Sequence, residues 1–284
     1  MYIFADSGST KTEWIITDNE GNRIDSFKTI GLNPYFVTFE KIIEAITENY
    51  PAVPDPLIIK KVFFYGSGCG SQDNLPHLRA ALEEYFFNAA VYIYSDMLGT
   101  ARAVLKQNSG IAAIMGTGTN SCFYDGNSII KNAISLGFIL GDEGSGASIG
   151  KEFAKQYLEK RFDDELTAQI LSETGATHSS ILNAIYRNPH PNRYLAGFCI
   201  FIKNNIDHPQ LQKLIQKSFE DFFEKYIKIY DNPHKYMLGF CGSIAINFKD
   251  FIIEIADRYK IKDLCFVCNP LEELIEYHKV NNFD

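Results

Sequence analysis

A turn built of glycines and hydroxyl residues occurs twice in this chain, 108 residues apart, and this duplication constrains the fold more than any other feature. The first copy is Asp6-Ser7-Gly8-Ser9-Thr10-Lys11-Thr12 and the second is Gly116-Thr117-Gly118-Thr119-Asn120. Each follows a short apolar run (residues 2–5 and 111–115) and leads into a strand–turn–strand pattern, 13–17 then 23–29 in the first and 121–124 then 128–134 in the second. A repeat on this scale means one structural unit used twice.

The rest of each half follows the same order. After the first three strands, Thr38 is placed to cap a helix whose apolar residues Phe39, Ile42, Ile43, Ile46 and Tyr50 recur at helical spacing. A strand at 62–65 ends in Gly66-Ser67-Gly68-Cys69-Gly70. A helix through Leu75, Leu78 and Leu82 follows, then a strand at 91–94 ending in Ser95-Asp96, then a helix starting near Leu98. The order is βββαβα. The second half starts the same way but is lengthened by helical patterns at 152–171, 179–186 and 211–229. Alternation then returns with a strand at 236–240, the turn Cys241-Gly242-Ser243, a helix through Phe248, Ile252 and Ile255, and a strand at 264–267. Pro270, a favoured first helical residue, opens a last helix. The expected division is an N-terminal lobe of residues 1–110 joined by the C-terminal helix 270–284, and a C-terminal lobe of 111–269 with a helical insertion at about 150–231.

A chain of 284 residues suits two such lobes. Its formal charge is −8 and no run of Lys or Arg exceeds two, so a nucleic-acid partner, which needs a basic footprint, is not expected. The longest apolar stretch, around 194–202, is about half a membrane span. The first residues lack the basic and apolar regions of an export signal, and the six scattered cysteines read as reduced thiols. No membrane partner and a cytoplasmic location are therefore expected. Cys265 and Cys268 form one C-x2-C without a second pair, and read as part of a short apolar strand rather than a metal site.

Glycine turns at strand ends let backbone N–H groups approach an anion closely, and hydroxyls add donors. Lys11 adds a cation, and Asp6, where a strand ends, suits Mg²⁺ held directly or through water. These are the parts of a phosphoryl-transfer site. The P-loop pattern G-x4-G-K-[ST] and a dinucleotide G-x-G-x-x-G after the first strand are both absent. Asp96, at a strand end, has two open readings: a general base taking a proton from an attacking hydroxyl, or the N-cap of the following helix. Asp142, in Gly141-Asp142-Glu143-Gly144-Ser145-Gly146, lies in a glycine-rich loop beside Glu143, which by itself reads as a surface acidic turn. Asn33 and Asn120 can donate and accept at once, which suits vicinal hydroxyls, or are ordinary turn residues. Trp14 reads as core. The Phe/Tyr-rich helix at 219–230 is core or a subunit interface, which leaves a homodimer open.

These residues carry a family resemblance. The Asp6–Thr12 turn resembles the first phosphate motif of the actin/hexokinase/Hsp70 superfamily, and Gly116–Asn120 its second. Gly239-Phe240-Cys241-Gly242-Ser243-Ile244-Ala245 is similar to its adenosine motif. Leu140 to Gly146, together with Gly31-Leu32-Asn33-Pro34 and Tyr94-Ser95-Asp96-Met97-Leu98-Gly99-Thr100, resembles the N-acetylglucosamine kinase branch, the BadF/BadG ATPase-like family. The resemblance implies a two-lobed actin/hexokinase-like (ribonuclease H-like) α/β fold of duplicated βββαβα domains with a cleft between them. It implies ATP and Mg²⁺ as cofactors and a small-molecule amino sugar as substrate. Asp96 would be the catalytic residue and also touch the sugar. Gly8, Ser9, Thr10, Lys11, Gly116, Thr117, Gly118, Gly242 and Ser243 would bind the nucleotide. Asn33, Asn120, Gly137 and Asp142 would bind the sugar, and Asp6 the metal. Leu136, before Gly137, stands where the family has an aromatic. The expected activity is phosphorylation of N-acetylglucosamine at the 6-hydroxyl. The alternatives are N-acetylmuramate or another amino sugar, a non-catalytic sugar sensor, and an ATPase that activates a partner enzyme.

Overall fold

The computed structural model describes every residue except Ser9, Gln72, Asn74 and Asp284. Its chain divides into two compact units: Met1–Lys106 with the segment from Asn269 onward, and Gln107–Cys268.

The first unit holds a five-stranded sheet of β1 (Tyr2–Ser7), β2 (Lys11–Thr17), β3 (Arg23–Ile30), β4 (Lys61–Gly66) and β5 (Ala90–Ser95), in the order β3-β2-β1-β4-β5. β1, β2 and β3 pair antiparallel, while β4 and β5 run parallel to β1. The second unit repeats this topology. Its strands β6 (Gly110–Met115), β7 (Thr119–Tyr124), β8 (Ile129–Asn132), β9 (Met237–Cys241) and β10 (Leu264–Val267) lie in the order β8-β7-β6-β9-β10, again antiparallel on one side of the central strand and parallel on the other. The two turns of the sequence repeat are thus the β1–β2 and β6–β7 hairpins.

Central strands read as continuous apolar runs because helices cover both faces. In the first unit, Ile3, Ala5, Trp14, Val62 and Phe64 face α1 (Phe39–Asn49) and α2 (Pro76–Tyr85). Phe4, Ile15, Phe63 and Tyr65 face α3 (Asp96–Leu105) and the C-terminal helix α12 (Pro270–Val280), which packs here through Leu271, Leu274 and Ile275. Trp14 is fully buried and stacked on Phe27 at 5.2 Å, and its indole N–H donates to Thr29 Oγ1 at 3.1 Å. Burial of an aromatic side chain of this size contributes roughly 2–3 kcal/mol, and the partner on Thr29 removes the cost of a stranded N–H.

The helices of the second unit are α4 (Gly137–Leu140), α5 (Gly146–Leu158), α6 (Asp164–Thr174), α7 (His178–Tyr186), α8 (Pro191–Asn204), α9 (Pro209–Phe222), α10 (Ser243–Asn247) and α11 (Lys249–Arg258). Three expectations are corrected. The single helix read over 152–171 is two helices, α5 and α6. Lys160 adopts a left-handed conformation (φ +55°), which ends the first, and the Asp163 carboxylate accepts the Leu166 N–H at 2.9 Å, which starts the second. The helix expected to run to 229 leaves α geometry after Phe222 and continues as a π-turn over Phe223–Ile227. The last strand of the second hairpin pair is shorter than the expected 128–134, covering Ile129–Asn132. None of the six cysteines, all of them described, is in a disulfide. Among the described residues no helix is long and apolar enough to cross a membrane.

Candidate active site

In the first unit, β1 ends at Asp6 and Ser7. The hairpin register sets Asp6 directly opposite Glu13, so both carboxylates lie on the sheet face shared by α3. The turn closes with the Gly8 N–H donating to the Lys11 carbonyl at 3.0 Å. Thr10 is exposed, and its carbonyl accepts from the Gly31 N–H at 3.1 Å. Ser9 lies outside the described residues. Lys11 projects toward solvent but is drawn to Glu13 at 2.7 Å, and Lys28 joins the same carboxylate at 3.2 Å.

Asp96 follows β5 and is the first residue of α3. The helix cap is the neighbouring Ser95, whose hydroxyl accepts the Leu98 N–H at 3.2 Å, and not Asp96. One Asp96 oxygen accepts the Met97 N–H at 2.8 Å. Burial holds its pKa above the ordinary carboxylate value, opposed in part by that N–H. Asp6 is pushed up to about 7, first by burial, then by the negative charges of Asp96 and Glu13, with Lys11 opposing.

A group whose folded-state pKa is raised binds its proton more tightly folded than unfolded. Its contribution to stability is complete below the unfolded value near 4 and is lost as pH rises through about 7. Thermal melting of the ligand-free protein is therefore expected to fall between pH 4 and pH 7.5 more steeply than that of Asp6→Asn. Equal slopes for the two proteins would refute the assignment.

Asn33 sits between β3 and α1. Its side-chain carbonyl accepts the Tyr35 N–H at 2.9 Å and its amide donates to Ser67 Oγ at 3.4 Å. One acceptor lone pair is thus committed to its own turn. Gly68 has φ +80°, and a methyl there would come within 2.4 Å of Asn33 Oδ1, so the Gly66–Gly70 loop and the Asn33 turn are locked together. Cys69 of the same loop is near enough to Asp96 for that charge to raise its thiol pKa, behind the larger effect of burial.

In the second unit, the Gly116–Gly118 turn connects β6 to β7, with the Gly116 N–H donating to the Gly118 carbonyl at 3.0 Å. The start of α5 is joined to it. The Gly146 N–H donates to Gly116 O at 2.9 Å, the Ala147 N–H donates to Thr117 O at 3.1 Å, and Ser145 caps the helix through the Ser148 N–H at 3.1 Å. A methyl on Gly116 would meet nothing within 4 Å, so open space lies before this turn.

Asp142 is 7% exposed, which excludes a surface turn. It adopts φ +61°, and its carboxylate lies against the turn, since a methyl on Gly118 would sit 3.0 Å from Asp142 Oδ2. Burial raises its pKa, the Thr119 N–H bonded to it lowers it, and the balance is upward. Asn120, on β7, uses its side-chain oxygen to accept the Ser121 N–H at 2.8 Å. Gly137 (φ +69°) opens α4 on the exposed side of this loop, its carbonyl accepting the Gly141 N–H at 2.8 Å. Gly242 (φ +120°) packs β9 onto the end of β6, where a methyl would come within 2.5 Å of Met115 O and 3.4 Å of Gly116 N, and exposed Ser243 begins α10 beside it.

The expected site residues therefore gather as Asp6, Lys11 and Asp96 in one unit, with Asn33 on the adjoining loop, and as Gly116–Gly118, Asn120, Asp142 and Gly242 in the other. Two residues escaped the sequence reading. Glu13 was legible in principle, because a tight hairpin pairing Ser7 with Thr12 must pair Asp6 with Glu13. Tyr226, whose hydroxyl accepts the Asp142 N–H at 2.9 Å, carried no sequence signal beyond its place in an aromatic helix.

No family model matches the chain, and neither does any curated protein. Among solved structures, a candidate N-acetylglucosamine kinase from Porphyromonas gingivalis is 38% identical, with 99% of each chain covered and a TM-score of 0.94. A candidate N-acetylglucosamine kinase from Chromobacterium violaceum is 16% identical over 99% of each chain, with a TM-score of 0.72. A ROK family glucokinase from Streptomyces griseus, in complex with glucose and AMPPNP, is 15% identical over 98% of each chain, with a TM-score of 0.58. The last two share the fold. The first is similar enough in sequence, over the whole length, to establish kinship. The chain belongs to the N-acetylglucosamine kinase family, a sugar-kinase branch of the actin/hexokinase/Hsp70 superfamily.

Proposed function

We propose that this protein transfers the γ-phosphoryl group of ATP to an amino sugar, N-acetylglucosamine at its 6-hydroxyl being the best-supported acceptor. The observation that carries the reading is Asp96. A carboxylate held largely out of water is costly unless it has a task, and its structural task as a helix cap belongs to Ser95. With its pKa raised by burial, it is a stronger proton acceptor than an exposed carboxylate. In this reading Asp96 takes the proton from the attacking sugar hydroxyl. Asp142 accepts hydrogen bonds from the sugar, while Asn33 and Asn120 orient it through their amides. The Gly8–Lys11 and Gly116–Gly118 turns offer backbone N–H groups to the phosphates, and Gly242 and Ser243 bound the nucleoside.

The residues also fit a magnesium ion. Asp6 is a partly buried carboxylate crowded by the charges of Asp96 and Glu13, a deficit of positive charge that a hard divalent cation would relieve. Mg²⁺ keeps several waters and phosphate oxygens in its shell, so one or two carboxylates suffice. When bound, it supplies charge neutralisation on the phosphates. AMPPNP and glucose bound together in the Streptomyces griseus glucokinase support a nucleotide donor and sugar acceptor for this fold.

An ADP-release assay over a panel of hexoses and N-acylated amino sugars tests the proposal. Turnover stimulated by N-acetylglucosamine above the other sugars is the expected result. ADP release that no sugar stimulates would end it.

A further inference from the structure

The π-turn after α9 has a structural consequence at the Asp142 loop. A π-turn inserts one residue into a helix and releases a backbone carbonyl from the ladder, and such turns recur at functional sites. Here the Tyr226 carbonyl accepts the Ser121 hydroxyl at 2.7 Å, and Ser121 is held in turn by the Tyr230 hydroxyl at 2.9 Å. The main chain of the π-turn is thereby fastened to β7, one residue from Asn120. From that anchored position the Tyr226 ring, stacked on Phe222 at 5.5 Å, sends its hydroxyl into the Gly141–Gly146 loop. The hydroxyl accepts the Asp142 N–H at 2.9 Å and donates to Glu143 Oε2 at 3.4 Å. Lys225, also in the π-turn, forms an ion pair with Glu143.

Asp142 needs this support. Its left-handed backbone (φ +61°) is a sparsely populated conformation for a residue with a side chain, and its N–H is buried. Without the Tyr226 oxygen that N–H would be left without a partner away from water, a state the loop would escape by rearranging. Rearrangement would move the carboxylate off the Gly118–Thr119 turn.

We infer that Tyr226, delivered by the π-turn, is a positioning residue that fixes the Asp142 carboxylate and so sets affinity for the sugar. The inference rests on the proposed sugar-kinase activity.

Tyr226→Phe keeps the ring and removes only the hydroxyl. It should raise the KM for sugar about tenfold and leave the KM for ATP nearly unchanged, with a fall in melting temperature no larger than that of the Tyr230→Phe control. The Asp142 amide should also exchange its hydrogen faster in the folded protein, a readout independent of turnover. Tyr230→Phe is the structural control. It removes a buried hydroxyl from the same segment and should lower the melting temperature while sparing the sugar KM. An active Tyr226→Phe enzyme with unchanged sugar KM, or with sugar and ATP KM raised together, would overturn the positioning role alone. A wild-type protein that phosphorylates no amino sugar would remove the function and this inference with it.

Discussion

Replacement of Asp96 by Asn is expected to lower kcat for sugar phosphorylation about a thousandfold, within the range that general-base removal costs, with sugar and ATP affinities changed only a few-fold. The isosteric amide keeps the contact with the Met97 N–H, which donates to Asp96 Oδ1 at 2.8 Å, and leaves the Ser95 cap intact. The variant should therefore fold and melt normally. What it loses is the lone pair that receives a proton. Because burial raises the pKa of Asp96, activity of the wild-type enzyme should fall on the acid side at a pH above the ordinary carboxylate range. Steady-state kinetics of the purified variant, with binding followed separately by calorimetry, checks both parts. Turnover within tenfold of wild type would remove Asp96 from the chemistry.

The largest expected effect on stability is at Gly150. Gly150 lies on α5 where this helix crosses α8, and a methyl there would come within 1.8 Å of the Leu195 carbonyl oxygen and 2.4 Å of its carbon. Both are backbone atoms, so no side-chain rotation relieves the overlap and the helices must part. Gly150→Ala is expected to cost more than about 3 kcal/mol, at the severe end for a single substitution. That corresponds to a fall in melting temperature on the order of 10 °C. Gly197→Ala on α8 is the matched control. A methyl there meets nothing within 4 Å, so the gain in helix propensity should leave the protein unchanged or slightly more stable. A Gly150→Ala protein melting within about 2 °C of wild type would show that the two helices have slack the packing does not suggest. The start of α5 is bonded to Gly116 and Thr117, so displacement of this helix should also weaken nucleotide binding.

Asp6 and Asp142 illustrate how differently two carboxylates are written into a sequence. Asp6 was readable as a strand-end residue from the apolar run before it, and its opposition to Glu13 follows from the hairpin alone. Nothing local announced that Asp142 would be 7% exposed, because what buries it comes from the Gly118–Thr119 turn and, along the chain, from Tyr226. The α5–α6 break shows the same limit from another side. Residues 159–163 contain neither Gly nor Pro, and only the left-handed Lys160 and the Asp163 cap reveal two helices in place of one.

The amino-acid sequence by itself determined the duplicated strand order, the two glycine turns and the identity of the residues at the strand ends. These depend on alternation of apolar residues and on turn chemistry, which act over a few neighbouring positions. Tertiary structure alone decided that a π-turn carries Tyr226 to Asp142, and which carboxylates are taken out of water. Tyr226 reaches Asp142 across 84 residues of chain, and Asp6 feels the charge of Asp96 from another strand end. Desolvation and hydrogen-bond satisfaction are properties of the packed surroundings, and no local pattern encodes them.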